Sequence, residues 1–345
     1  MQRFLFLLCC LLACVIKVNA TPVMESMEQK IVMDELSNNK MDVGLGLKVG
    51  VAVVAPSGFA QQSGRCEKGI EVLRQRGFAV KNYYDANAHD QRFAAADDVR
   101  LEQLKKAYED PDSKIIMAIR GGYGASRLLN HLDFRQMAKT GKVFVGYSDI
   151  TVIQMGLLKY GAVSFAGPMV CSDYGIDDPS AFTLDSFEKT ISKKSVKIQW
   201  QGKGNPTTDV SGVFWGGNLT MISHLVGTKW LPDIKDGILF VEDISEHPFR
   251  VERMLIQLDE AGILRQQKAL VLGDFTGYRL SDVDNGYDFE AMLSWIRKRV
   301  SIPVITGIPF GHVKDKVTLP VGAKAHLHSA KDGVTLELSG YPTVK

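Results

Sequence analysis

The chain reads as an α/β protein of two domains, and three observations lead there. Its first half alternates apolar, β-rich runs with stretches of helical period. Its texture turns polar after Pro168. From Val210 a second unit begins, again in the order strand, turn, helix. With 345 residues there is enough chain to bury two cores.

The elements follow in order. Residues 1–20 read as an export signal: Arg3 supplies the positive start, Phe4–Ile16 is an apolar run of 13 residues, and Val18-Asn19-Ala20 offers a cleavage site. A bilayer span needs about 18–20 such residues, so the run is too short for a transmembrane helix. Leu11-Leu12-Ala13-Cys14 also resembles a lipobox, which would lipidate Cys14, although Lys17 and the leucine before Ala13 fit that pattern poorly. Soluble export is the favoured reading. Residues 21–46 are a polar, methionine-rich arm.

The first domain spans 47–194. Leu47–Gly58 is a strand ending in a Pro-Ser-Gly turn; Gln61–Gly77 is a helix; strand Ala79–Tyr84, helix Asp97–Tyr108 and strand Lys114–Arg120 follow. Strands and helices alternating at this spacing make a parallel, doubly wound sheet. Val143–Val145 is a buried strand feeding the helix Asp149–Tyr160, and Ala181–Ser192 is an amphipathic helix. Residues 195–209 read as strand then turn and form the domain boundary. The second domain, 210–345, contains SGVFWGGNLTMISHLVG, then GILFVED with its following helix. Strand Ala269–Gly273, helix Asp288–Val300, strand Pro303–Thr306 and a strand pair near Ala323–Leu327 and Gly333–Ser339 complete it.

Charge and cysteine count narrow the function. Removing the signal takes Arg3 and Lys17 from 41 basic side chains and nothing from 39 acidic ones, leaving 39 of each. A neutral balance argues against nucleic acid as a partner, because phosphate binding needs a basic surface. Cys66 and Cys171 remain in the mature chain, and they stand as either an exported disulfide or two buried thiols. No CxxC or HExxH spacing occurs there, so a metal site has no support. The GGYGAS turn after Lys114–Arg120 matches neither G-x-G-x-x-G nor G-x-x-x-x-G-K-[ST], so no nucleotide cofactor is expected.

Chemistry concentrates at strand ends. Ser148 stands at a strand-to-helix turn, where free N–H groups of the first helical turn favour an alkoxide and an oxyanion. A helix N-cap is what most serines in front of helices provide, and this stretch alone does not displace that reading. RGGYGASRLL, Arg120–Leu129, lets backbone approach a ligand closely, and both turns lie where open α/β sheets bind ligands. A nucleophilic serine needs a base and the base needs an orienting group. Among seven histidines, His326 and His328 share a strand without a third ligand, His224 sits inside a helix, and His89 and His131 have nothing diagnostic near them. His247 and His312 remain, the latter on a Pro- and Gly-flanked loop after a strand. The strand GILFVED ends in Glu242 and Asp243, only one of which can face a site. The order Ser148, Glu242, His312 is one in which such triads occur.

Taken together, RGGYGASRLL, VGYSDIT, FWGGNL, FVEDISEHPFRVERML and IPFGH with LPVGAKAHL resemble the successive motifs of the LD-carboxypeptidases, which include the microcin-immunity peptidases. The resemblance runs from about Val49 to about Leu327. It implies a flavodoxin-like or amidotransferase-like parallel sheet with flanking helices, a smaller mixed α/β C-terminal domain, and a homodimer with the site between domains. It also implies removal of a terminal D-alanine from a peptidoglycan stem tetrapeptide, with Ser148 as nucleophile, Glu242 as orienting acid and His312 as base. Asp149 N–H and an N–H of the GGYG turn, Gly122, become the oxyanion donors. Asn218 becomes a substrate or scaffold contact, and from its position Arg120 becomes a candidate for the substrate carboxylate. Members of the family work in the cytoplasm, whereas this chain carries an export signal, and AGP at Ala166–Pro168 replaces the HGP of many members. A periplasmic enzyme meets crosslinked wall, which adds an endopeptidase activity to the expectations and weakens the microcin-immunity reading. The rival from another class is a non-catalytic muropeptide-binding protein, which needs none of the three catalytic positions.

Overall fold

In the computed structural model of the chain, residues 32–33, 49–202 and 204–344 are described. The export signal, Cys14 and most of the arm lie outside the described residues. Fourteen strands and eight α-helices follow one another among them. The first half contains β1 (Val32–Met33), β2 (Gly50–Val54), α1 (Ser63–Gln75), β3 (Ala79–Asn82), α2 (Asp97–Glu109), β4 (Ile115–Ala118) and α3 (Phe134–Lys139). It continues through β5 (Val143–Gly146), α4 (Thr151–Lys159), β6 (Ser164–Ala166) and α5 (Ala181–Ser192). The second half contains β7 (Ser195–Trp200), β8 (Thr208–Asn218), α6 (Leu219–His224), β9 (Ile238–Ile244), α7 (Pro248–Glu260) and β10 (Ala269–Thr276). Helix α8 (Phe289–Arg299), β11 (Val304–Thr306), β12 (Leu319–Val321), β13 (Lys324–Ala330) and β14 (Gly333–Ser339) end it.

The two units expected from the sequence are both present. Strands β12-β6-β5-β4-β2-β3 form a six-stranded sheet, parallel except at β12. Counting from β2, its parallel strands run in the order 2-1-3-4-5, which is the flavodoxin-like winding. Strands β2, β4 and β5 are buried along their whole length because helices cover both faces. The second sheet, β1-β7-β14-β13-β8-β9-β10-β11, is mixed: β8 to β11 run parallel and the rest antiparallel.

The strand read at the expected boundary, Ser195–Trp200, belongs to the second sheet, paired with β14. Another pairing was not legible in advance. Leu319–Val321 crosses back to pair with Ser164–Ala166 at the edge of the first sheet. Both β6 and β12 are three residues long, too short to announce a period. The chain therefore ties the halves together through main-chain hydrogen bonds. Cys66 on α1 and Cys171 are disulfide-bonded, which decides between the two alternatives the sequence left open.

Candidate active site

The carboxyl ends of β2, β4 and β5 carry three turns that meet around Ser148. Ser148 follows β5 and Tyr147, and its φ of +63° is in the left-handed region. A serine held there costs about 1–2 kcal/mol, so the surroundings impose the conformation. They do so tightly: a Cβ on Gly121 would lie 2.7 Å from the Ser148 Cβ, 2.9 Å from its Oγ and 3.3 Å from the Asp149 nitrogen. The backbone of Gly121 thus lies directly against the serine. The Gly121 carbonyl accepts from the Gly58 N–H at 3.3 Å, so the Gly122 N–H across the trans peptide points the other way. Gly122 itself has φ +86°.

The Asp149 carboxylate fastens these turns. Its Oδ2 accepts from Ser57 Oγ at 2.6 Å and from the Ala125 N–H at 2.8 Å, which joins the turns after β2 and β4 to the one after β5. Burial pushes its pKa up, and the donors from Ser57 and Ala125 oppose that shift. Arg100 of α2, fully buried, reinforces the same turns by donating to the carbonyls of Ala95, Pro56 and Gly124. Its own pKa is lowered by that burial. Arg120 lies half-buried on this side, with Nη1 donating to the Phe59 carbonyl at 3.3 Å.

The parallel part of the second sheet supplies the rest. Glu242, near the end of β9 and with 0% exposure, holds His312 Nδ1 at 2.7 Å through Oε2. That bond places the proton on Nδ1 and leaves Nε2 as the basic nitrogen. The other carboxylate oxygen, Oε1, accepts from Asn218 Nδ2 at 3.3 Å. Asn218 also donates to Asp243 Oδ1 at 2.9 Å, caps α6 through the Met221 N–H, and gives its own N–H to Thr151 Oγ1 at 3.1 Å. It is 4% exposed and fully engaged, so among the described residues its contacts are those of a scaffold. Asp243, which shares the Asn218 amide with Glu242, accepts from the Thr220 N–H and hydroxyl, both at 2.8 Å. Burial raises its pKa.

The His312 ring packs edge-on against Tyr147, the residue before Ser148, with centroids 5.1 Å apart. The structure therefore sets Gly121, Gly122 and Asp149 around Ser148 in the first half and Glu242 and Asn218 around His312 in the second, and joins the two groups through the Tyr147–His312 ring contact and the Thr151–Asn218 hydrogen bond. The other histidines go elsewhere. His247 caps α7 and contacts Asp284 at 3.1 Å; His326 and His328 flank Asp209 at 2.7 and 3.1 Å on an exposed face.

Sequence reasoning passed over Gly121, Tyr147 and Asp274. Gly121 was visible in the GGYG turn but not separable from its neighbour. Asp274 gave the same signal as Glu242, an acid ending an apolar strand. Its backbone N–H donates to the Phe310 carbonyl at 2.8 Å, and a Cβ on Gly311 would approach its own Cβ to 2.9 Å, so it flanks the His312 turn. Burial and the charge of Glu242 push its pKa up to about 6.

Known proteins match across this whole arrangement. Residues 51–167 match the LD-carboxypeptidase N-terminal domain, and residues 211–327 match the LD-carboxypeptidase C-terminal domain. The crystal structure of the muramoyltetrapeptide carboxypeptidase of Oxalobacter formigenes superposes with a TM-score of 0.83 at 57% identity, covering 86% of this chain and 100% of that one. The murein tetrapeptide carboxypeptidase of Pseudomonas aeruginosa is 29% identical over 287 residues, 80% of this chain and 92% of its own length. The microcin C7 self-immunity protein MccF of Escherichia coli is 26% identical over 290 residues, 74% of this chain and 83% of its own. With two domain matches that together span most of its length, the chain belongs to the LD-carboxypeptidase family.

Proposed function

We propose that the chain is a serine LD-carboxypeptidase that releases the terminal D-alanine from peptidoglycan stem tetrapeptides, with Ser148, His312 and Glu242 as its triad. The observation that carries this reading is the 2.7 Å contact of buried Glu242 with His312, whose ring packs on Tyr147, the residue before a serine held at φ +63°. A helix cap has no use for the second, and a binding protein has no use for either. The names of the Oxalobacter and Pseudomonas relatives support the substrate class.

In this mechanism His312 Nε2 takes the Ser148 proton as Oγ attacks the carbonyl of the L-centre. Glu242 holds the imidazole in the required tautomer and stabilises the imidazolium. The Asp149 N–H, with the Gly122 N–H as second donor, receives the oxyanion; one such donor is worth about 10²–10³ in rate. His312 then returns the proton to the departing amine, and water repeats the cycle on the acyl-serine. The family resemblance supports a homodimer, and the amino-terminal signal supports periplasmic work.

The test is mass analysis of a defined stem tetrapeptide, and of crosslinked muropeptides, incubated with wild type, Ser148→Ala and Glu242→Gln. Wild type should remove one D-alanine. Ser148→Ala should lose activity by about 10⁴-fold or more, and Glu242→Gln by about 10³–10⁴-fold. Binding without turnover in wild type would leave the peptide-binding reading in its place.

A further inference from the structure

Next to His312 lies a cavity of about 230 Å³ that the chemistry above does not use. Its lining includes Tyr147, Ser172, Asp173, Thr183, His312 and Lys316. We propose that this cavity is the subsite for the departing residue and that the Lys316 ammonium binds that residue's free α-carboxylate. The proposal rests on the serine carboxypeptidase reading and adds to it a residue that selects for a free C-terminus.

Lys316 is an unusual wall residue. Its side chain is 2% exposed, and among the described residues Asp173 is its one hydrogen-bond acceptor. An ammonium has three N–H donors, and donors left unpaired in a buried place cost free energy. Asp173 has little more to offer, since its Oδ2 already accepts from the Met169 N–H at 2.8 Å. As a purely structural device the pair is expensive, because buried ion pairs can usually be replaced by apolar side chains without loss. A second acceptor arriving from a ligand would occupy the remaining donors.

The distances suit one amino acid. The Lys316 ammonium and the His312 ring each lie 5.1 Å from the same Tyr147 ring centroid, so they are separated by no more than twice that. That is an upper limit, and one α-amino acid hydrogen-bonded at about 2.9 Å at each end fits within it. Its amine would face His312, which must protonate it, and its carboxylate would face Lys316. The volume falls below the roughly 300–1,000 Å³ of pockets for larger ligands, which favours a single small residue. Arg120 does not line this cavity. A stem whose terminal carboxylate is tied up in a crosslink would lose the Lys316 contact and be a poor substrate.

The experiment compares a stem tetrapeptide ending in D-alanine with the same peptide ending in D-alaninamide. Hydrolysis is followed by mass, and binding to the Ser148→Ala protein by calorimetry. The acid should be preferred on the order of 10–100-fold in both readouts. That preference should fall to near one in Lys316→Gln/Asp173→Asn, which removes both buried charges together, and persist in Arg120→Gln. Ser172→Phe, which fills the cavity and leaves the ion pair in place, should likewise abolish the preference, so a misfolded double variant does not end the test. Equal handling of acid and amide by wild type, or a preference that survives the double variant or disappears in Arg120→Gln alone, would overturn the subsite. If wild type hydrolyses neither peptide the carboxypeptidase reading fails instead, and the binding arm on Ser148→Ala still decides whether the cavity prefers the acid.

Discussion

Gly121 shows how much of the site depends on an absent side chain. Its backbone lies against Ser148, and a Cβ added there would stand 2.7 Å from the Ser148 Cβ, closer than Cβ atoms tolerate. Gly121→Ala should therefore displace the serine by a few tenths of an ångström or more and lower kcat on the order of 100-fold. Stability should fall by about 1–3 kcal/mol, read by urea titration. Asp274 offers a pH test at the same scale. Its pKa of about 6 lies above the unfolded carboxylate value, so its ionisation penalises the folded state. The penalty is absent below the unfolded pKa, near pH 4, and complete above pH 6. Asp274→Asn should then be more stable than wild type at pH 7–8 by on the order of 1–3 kcal/mol. The two proteins should converge as pH falls to 4, and equal melting temperatures across the range would refute the assignment. Ser148, Glu242 and His312 were legible as candidates because each sits at a strand end in a chemically odd neighbourhood. Gly121 and Tyr147 were not, since only a packed turn distinguishes one glycine or aromatic from the next.

At the scale of elements, α1 and the single turn of π-helix Val170–Tyr174 form a backbone-to-backbone contact. A Cβ on Gly69 would meet the Val170 carbonyl oxygen at 2.2 Å, and one on Gly175 would meet the Arg65 carbonyl oxygen at 1.8 Å. Glycine at both positions is what allows the approach. The Cys66–Cys171 bond closes this contact across 105 residues of sequence. A loop of that length gives about 4.7 kcal/mol in the chain-entropy account, and measured losses run about 2–5 kcal/mol. Cys66→Ser/Cys171→Ser should lose stability within that range by denaturant titration. Because the turn carries Asp173, the partner of Lys316, it should also lose activity below its melting point. The sequence left the pairing undecided, since spacing carries no information about which helix a distant cysteine will face.

Across the whole molecule, His312 is held against Tyr147 of the first half because the two halves interlock. The segment after His312 is laced to α5: Thr183 Oγ1 donates to the Lys314 carbonyl and accepts from the Lys316 N–H, both at 2.9 Å, and Ser186 Oγ accepts from the Thr318 N–H at 3.0 Å. Strand β12 follows and joins the first sheet. Thr183→Val would leave one buried carbonyl and one buried N–H without partners. It should cost about 2–4 kcal/mol and lower kcat more than it raises KM, since it shifts His312 and not the glycine turn. An unchanged kcat would show that β12 alone holds His312 in place.

By itself, the sequence determined the two layered units, the placement of chemistry at strand ends and the family, because these follow from period, punctuation and motif order along the chain. Only the tertiary structure decided which cysteine state holds, that Leu319–Val321 crosses back to the first sheet, and that Lys316 stands in a cavity beside His312. Those outcomes depend on contacts between residues far apart in sequence, where burial and hydrogen-bond satisfaction select one arrangement among several that local patterning leaves equal.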